Sequence, residues 1–284
     1  AAGGRVMARA ALKPVDEMSR AARRIDAEAL TRRIAVRGTG DELDRLAATL
    51  NGMLARLENT FGEMRRFSAD AAHELRTPLT ALKGTLEVAL RADRNVAEYR
   101  EALVSALEEV DRLVRLAEDL LLLSRSTAGP ESPPARVDLE PLVLDVADVG
   151  ARLAKDHGVT VRVGPMAPAA VLGDAGALRR ALLNLVENGI KYTPAGGRVE
   201  LSVAVADAEA VLAVEDTGPG VDEADAERIF EPFVRLDAAR ARETGGSGLG
   251  LAIARSIVIA HRGTLGVERA AGGGARFTMR LPRG

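Results

Sequence analysis

The sequence predicts two architectures in series: an all-α region, coiled coil and then dimeric four-helix bundle, followed by an α/β two-layer sandwich. Three observations lead there. Apolar residues recur at spacings of three and four from Leu43 to Leu123, the stretch 124–136 is rich in Pro and Gly, and beyond it short alternating runs mix with helical ones. A chain of 284 residues has room for two or three compact units. Apolar residues at 47% and charged residues at 28% are ordinary globular usage and exclude a wholly disordered chain. The formal charge of −2 supplies no basic field for nucleic acid or an anionic membrane surface. The absence of cysteine excludes a disulfide framework and a thiolate metal site. No apolar run approaches the roughly 18 residues of a membrane span. The start, Ala1-Ala2-Gly3-Gly4 without an initiator methionine, points to processing or, by preference, to a piece of something longer.

The first expected element is an amphipathic helix over 12–25, with Leu12, Val15, Met18, Ala22 and Ile25 on one face and Pro14 near its start, where a helix tolerates it. After Gly38-Thr39-Gly40, the pair Asp41-Glu42 opens a second helix, negative charge suiting the positive end of the helix dipole. Its seam, Leu43, Leu46, Leu50, Met53 and Leu57, has coiled-coil spacing. A two-helix unit this small hardly buries such a stripe without a partner chain. With Pro14 and Asp41-Glu42 at matching positions, about residues 5–60 resemble a HAMP domain, the helix-connector-helix relay between membrane spans and kinase modules, which implies a relay module over 1–60. The stripe runs on through Phe61, Met64, Ala71, Leu75 and Leu82, so one helix crosses the junction. Two successive spacings of four around Leu57 mark a stutter that locally unwinds a supercoil.

After a turn near 91–95, a further helix carries one row at Leu103, Leu107, Val110, Val114, Ala117 and Leu121 and a second at Leu113, Leu116, Leu120 and Leu123. Two rows are too wide for a two-stranded seam and suit a four-helix bundle, to which one chain supplies two helices; a homodimer follows. Residues 124–136 read as a linker. Helices are expected near 138–157, 174–190 and 248–261, and strands near 159–163, 198–205, 210–215, 264–268 and 275–280.

Four constellations carry chemistry. In Phe67-Ser-Ala-Asp-Ala-Ala-His73-Glu74-Leu-Arg-Thr77-Pro78-Leu79, His73 stands two positions from both Ala71 and Leu75 and so points out of the bundle. A solvated imidazole beside a carboxylate is a nucleophile candidate: Glu74 can hold the ring tautomer or take its proton. Thr77 lies one turn on, on the same face, and Pro78 removes a helix hydrogen bond, which predicts a bend. In Asn184-Leu-Val-Glu-Asn188-Gly-Ile-Lys191-Tyr192, the two amides project together as neutral oxygen ligands suited to Mg²⁺ on a triphosphate, and Lys191 adds charge for phosphates. Asp216-Thr-Gly218-Pro-Gly220 follows an apolar strand; its carboxylate can accept from an adenine amine. Gly245-Gly246-Ser-Gly248-Leu249-Gly250 runs into an apolar helix, whose free N–H groups and dipole suit phosphate. His157 and His261 end helices next to or near glycine and are read as caps, a cation suiting that end.

The first constellation resembles the phosphoacceptor box of the dimerisation and histidine-phosphotransfer domain, here 61–128. The other three, with Phe230-Glu-Pro-Phe233, resemble the Bergerat-type ATP-binding domain shared by gyrases, Hsp90-type chaperones, histidine kinases and MutL proteins, here 129–284. The resemblance identifies the chain as a sensor histidine kinase of a two-component system. It implies His73 as phosphoacceptor, Glu74 as general base and Thr77 as the residue positioning water for dephosphorylation. It further implies ATP and Mg²⁺ as ligands, with Asn188 the main metal ligand and Asn184 assisting. Lys191, Tyr192 and Arg235 would meet the phosphates or their surroundings, Asp216 with Gly218 and Gly220 the adenine, and Phe230, Phe233, Gly246, Gly248, Leu249 and Gly250 the lid and loop. Where hydrolysing relatives carry a catalytic glutamate this chain has Asn184, so water activation is not the expected chemistry. A response regulator that receives the phosphoryl group on aspartate, phosphatase activity toward it, a homodimer, and a membrane span N-terminal to this cytoplasmic-side region complete the expectation.

Overall fold

The computed structural model describes residues 31, 33–36, 38, 40–91, 95–125, 135–236 and 247–284. The helix expected over 12–25 lies outside them. Two compact units divide the chain, residues 1–72 and 73–284.

Helix α1, Glu42–Arg91, is one uninterrupted element of 50 residues that continues through Pro78. It starts where the side chain of Asp41 accepts from the N–H of Asp44 at 3.0 Å, satisfying an otherwise orphan donor, and Asp44 in turn accepts from Gly40 at 2.8 Å. Within the first unit, Ile34 packs with Ala47 and Leu50. Asn51 fixes that contact by pairing both ways with the backbone of Ile34, at 2.8 and 2.9 Å.

In the second unit, α2, Val96–Arg125, begins with a capping box: Asn95 and Glu98 exchange two hydrogen bonds of 3.0 Å. Its two leucine rows have different fates. Leu103, Leu107, Val114 and Leu121 are each at least half exposed, whereas Leu116 is buried and Leu120 and Leu123 pack with it against the α/β core. The reading of both rows as bundle interior is therefore corrected: the second row serves the α/β part. The linker is also shorter than expected, since helix reaches Arg125 and strand begins at Ala135.

The α/β part runs β1 (Ala135–Asp138), α3 (Leu139–Ala154), β2 (Thr160–Met166), β3 (Ala170–Gly173), α4 (Ala175–Tyr192), β4 (Arg198–Ala206), β5 (Glu209–Asp216), α5 (Gly250–Ala260), β6 (Thr264–Arg269) and β7 (Ala275–Pro282). The five-stranded sheet has the order β2-β4-β5-β7-β6, with β2 parallel to β4 and the other pairs antiparallel. Alternation places Val199, Leu201, Val203, Leu212, Val214, Phe277, Met279 and Leu281 on one face, where they meet buried residues of all three helices. Each such burial contributes about 1.5–3 kcal/mol. The strands β1 and β3, absent from the sequence reading, form a separate antiparallel ribbon. Four residues each is too short for alternation to show.

Candidate active site

Strand β5 is apolar along its length until Asp216, which is only 4% exposed. One carboxylate oxygen accepts from the backbone N–H of Gly218 at 2.8 Å and of Ala275 at 3.1 Å. The other oxygen is left to receive a donor. Burial pushes this carboxyl above the ordinary carboxylate range; the two N–H donors oppose the rise and the charge of Glu215 adds to it. The corner needs glycine. A side chain at Gly218 would come within 2.8 Å of the Tyr192 carbonyl, and one at Gly274 would collide with the Asp216 backbone. Gly220 takes φ +77° against the backbone of Gly273 and Gly274. A buried acceptor with backbone walls is suited to a flat heterocycle presenting an amine.

The other side of the candidate site is built by α4 and α5. Asp174 caps α4, accepting from Ala177 at 3.0 Å, so the helix delivers Asn184, Asn188 and Lys191 on successive turns to its far end. The Asn184 amide nitrogen donates to the carbonyl of Gly250 at 3.1 Å, which ties α4 to the first residue of α5 and leaves the amide oxygen for a cation. Asn188 is half-buried beside it in sequence register. Burial, then the positive charge of Arg235, holds the Lys191 ammonium below its ordinary range. Lys191 and Arg235 thus stand close enough to feel one another's charge at this end of α4. The Lys191 nitrogen also lies 5.3 Å from the centre of the Tyr192 ring, which is 38% exposed.

The base of the glycine loop is strained into place. Phe233 has φ +65° and Gly248 φ +71°, and the Phe233 N–H donates to the Gly248 carbonyl at 3.0 Å. A side chain at Gly248 would sit 2.9 Å from the Phe233 backbone. Two expected nucleotide residues lie in the core instead of on the site surface. Phe230 is 4% exposed and meets Phe277 edge-on, with the guanidinium of Arg255 over its ring, and Leu249 is fully buried. In both boxes the apolar members pack into the core while the glycines shape the backbone. Gly246 lies outside the described residues.

His73 is exposed on α1, Glu74 half-buried, and Thr77 exposed one turn on, its hydroxyl donating to the His73 carbonyl at 3.3 Å. The structure brings the asparagine, aspartate and glycine boxes together on the α/β part and keeps His73 on a separate helix.

Family models match in the same order: a HAMP domain over 6–59, a His Kinase A (phospho-acceptor) domain over 63–129, and a histidine kinase-, DNA gyrase B- and HSP90-like ATPase domain over 173–284. The sensor protein CutS of Streptomyces coelicolor is 40% identical over 281 residues, 98% of this chain and 67% of CutS. The chain belongs to the sensor histidine kinases. Sensor histidine kinase CusS of Escherichia coli K12 is 37% identical over 95% of this chain, which spans 56% of CusS. Among solved kinases, full-length ShkA in complex with AMPPNP is 31% identical, with a TM-score of 0.58 over 75% of this chain and 45% of ShkA.

Sequence reasoning does not reach two features around this kinase's site. The Ala275 N–H that holds Asp216 had a signal in Gly272-Gly273-Gly274, a run that lets two backbones approach. Thr193, which caps α4 and is 6% exposed, had none beyond its place after the last helical residue. His261 was placed correctly as the C-cap of α5. Spacing does not show its second contact: Nε2 accepts from the N–H of Asp174 at 3.0 Å while Nδ1 faces the Ile257 carbonyl at 2.7 Å.

Proposed function

We propose that this chain is the signalling part of a membrane-anchored sensor histidine kinase that transfers the γ-phosphoryl group of ATP to His73. Its modules are 1–60, relay; 61–128, dimerisation and phosphotransfer; and 129–284, ATP binding. The carrying observation is the buried Asp216, whose second oxygen stands ready for the adenine amine beside a phosphate-facing α4–α5 end. A lone pair of the His73 imidazole attacks the γ-phosphorus as the bond to the ADP oxygen breaks; Glu74 takes the proton from the other ring nitrogen. Asn188 and Asn184 are suited by their neutral oxygens to hold Mg²⁺, which when bound neutralises triphosphate charge. Lys191 and Arg235 orient the anionic chain. The phosphoryl group then passes to an aspartate of a response regulator, and Thr77 positions water when that acyl phosphate is hydrolysed. The exposed first row of α2 supports a homodimer, since a second copy would cover it.

Incubation with γ-labelled ATP tests this reading. Wild-type protein acquires acid-labile label, and His73→Gln acquires none while binding ATP within a few-fold of wild type. Full-stoichiometry label on His73→Gln would move the phosphoacceptor elsewhere.

A further inference from the structure

We infer that His261 is a positioning residue for ATP binding, pinning α5 to α4 at the end remote from the nucleotide; this rests on the proposed ATP site. The two helices run in opposite senses, so each contributes one end to the site: α4 its last turns, with Asn184, Asn188 and Lys191, and α5 its first residue, Gly250. Near the site they are joined by the Asn184 amide on the Gly250 carbonyl, at 3.1 Å. At the other end they are joined by His261, the C-cap of α5, accepting from the N–H of Asp174, the N-cap of α4, at 3.0 Å. The opposite ring nitrogen is committed to the Ile257 carbonyl at 2.7 Å, which fixes the ring's tautomer and direction. Gly173 leaves the space, since a Cβ there would collide with the imidazole.

A helix held at one point can pivot about it, and one held at two cannot. α5 has 11 residues, a lever of about 16 Å. The near pin is itself part of the site, since the same Asn184 amide that donates to Gly250 offers its oxygen to a cation. The far pin then keeps the glycine loop in register with Asn188 and Lys191. Its loss costs preorganisation of the site before it costs the fold, because Ile253, Ala254, Ile257 and Val258 remain buried between α4 and the sheet.

Three variants of the whole chain test the inference: His261→Ala, which removes the acceptor; His261→Gln, whose amide oxygen can reach the Asp174 N–H; and Gly173→Ala, which displaces the ring without altering it. KM for ATP, kcat of autophosphorylation and Tm are measured for each. The expected result is a KM about fivefold higher for His261→Ala and for Gly173→Ala, the equivalent of one net hydrogen bond, with kcat changed less than KM. His261→Gln should return KM to within about twofold of wild type. Unchanged KM in both alanine variants, with only Tm lowered, would show a structural cap and overturn the inference. Failure of the glutamine variant to improve on alanine would equally overturn it. Should His261→Ala not fold, the other two variants decide. Wild-type protein that does not bind ATP would instead sink the functional reading itself, a result distinct from either.

Discussion

Replacing Asp216 by Asn keeps an oxygen for the N–H groups of Gly218 and Ala275 but puts an amide NH₂ where the second carboxylate oxygen stood. An adenine amine then meets a donor in a corner that is 4% exposed and offers little water to mediate. A hydrogen bond to a charged group is worth about 1.5–3 kcal/mol, and facing donors add a desolvation cost of similar size. A loss of about 3 kcal/mol corresponds to roughly a hundredfold weaker ATP binding. Stability should move the other way. Burial disfavours the ionised form of Asp216, so neutral Asn removes a cost, and Tm at neutral pH should hold or rise. The pH dependence follows from the raised value. Nucleotide recognition needs the carboxylate, so wild-type affinity falls as pH drops through the raised folded value, above the ordinary carboxylate midpoint of about 3.9. Folding behaves oppositely: the folded state binds this proton more tightly than the unfolded chain. The contribution of Asp216 to stability is therefore fullest below about pH 3.9 and is lost as pH rises through the folded value. Calorimetry with ATP across that range measures both. Binding by Asp216→Asn within about threefold of wild type, or the same pH profile in both proteins, would refute the reasoning.

Three further outcomes follow. Asn188→Ala should lower Mg-ATP affinity while leaving metal-free nucleotide binding in place, and titration calorimetry showing equal loss in both conditions would reject a metal role. Gly274→Ala should abolish nucleotide binding and lower Tm, since the added carbon collides with the Asp216 backbone; a normal Tm in a melting experiment would contradict the close approach. Glu74→Ala should slow autophosphorylation by about 10² to 10⁴, the usual worth of general-base assistance, whereas Thr77→Ala should keep most autokinase activity and slow dephosphorylation of the response regulator. The reverse division between these two variants, measured with purified regulator, would show the roles to be wrongly assigned.

What could be read in the sequence was whatever a period or a steric demand exposes. The seam from Leu46 onward announced one helix across the junction of two modules, and α1 is that helix. Asp216 at a strand end among glycines announced a recessed acceptor, because only glycine lets Tyr192 and Gly274 backbone close on it. What could not be read was the identity of the covering surface. Leu103 and Leu116 belong to equally apolar rows, yet one stays exposed and the other is buried in the α/β core, and nothing in spacing distinguishes them. Hydrogen bonds between remote backbone and side chain were equally silent. The Asp174–His261 contact joins residues 87 apart in sequence, and neither end carries a local signature of the other.

The burial of Leu116 bears on how such kinases can be recombined. Beside it, Asp119 of α2 pairs with Arg180 of α4 at 2.6 Å, and burial raises the Asp119 carboxyl despite that partner. A chimera cut in the segment between α2 and β1 looks natural from the sequence, since it separates whole elements. It would nevertheless part Leu116 and Asp119 from the surface they fit, and leave Arg180 facing a foreign helix. Exchanging α2 from about Leu116 onward together with the α/β part would carry lock and key across as one piece, which makes the last three turns of α2 inherited property of the ATP-binding half.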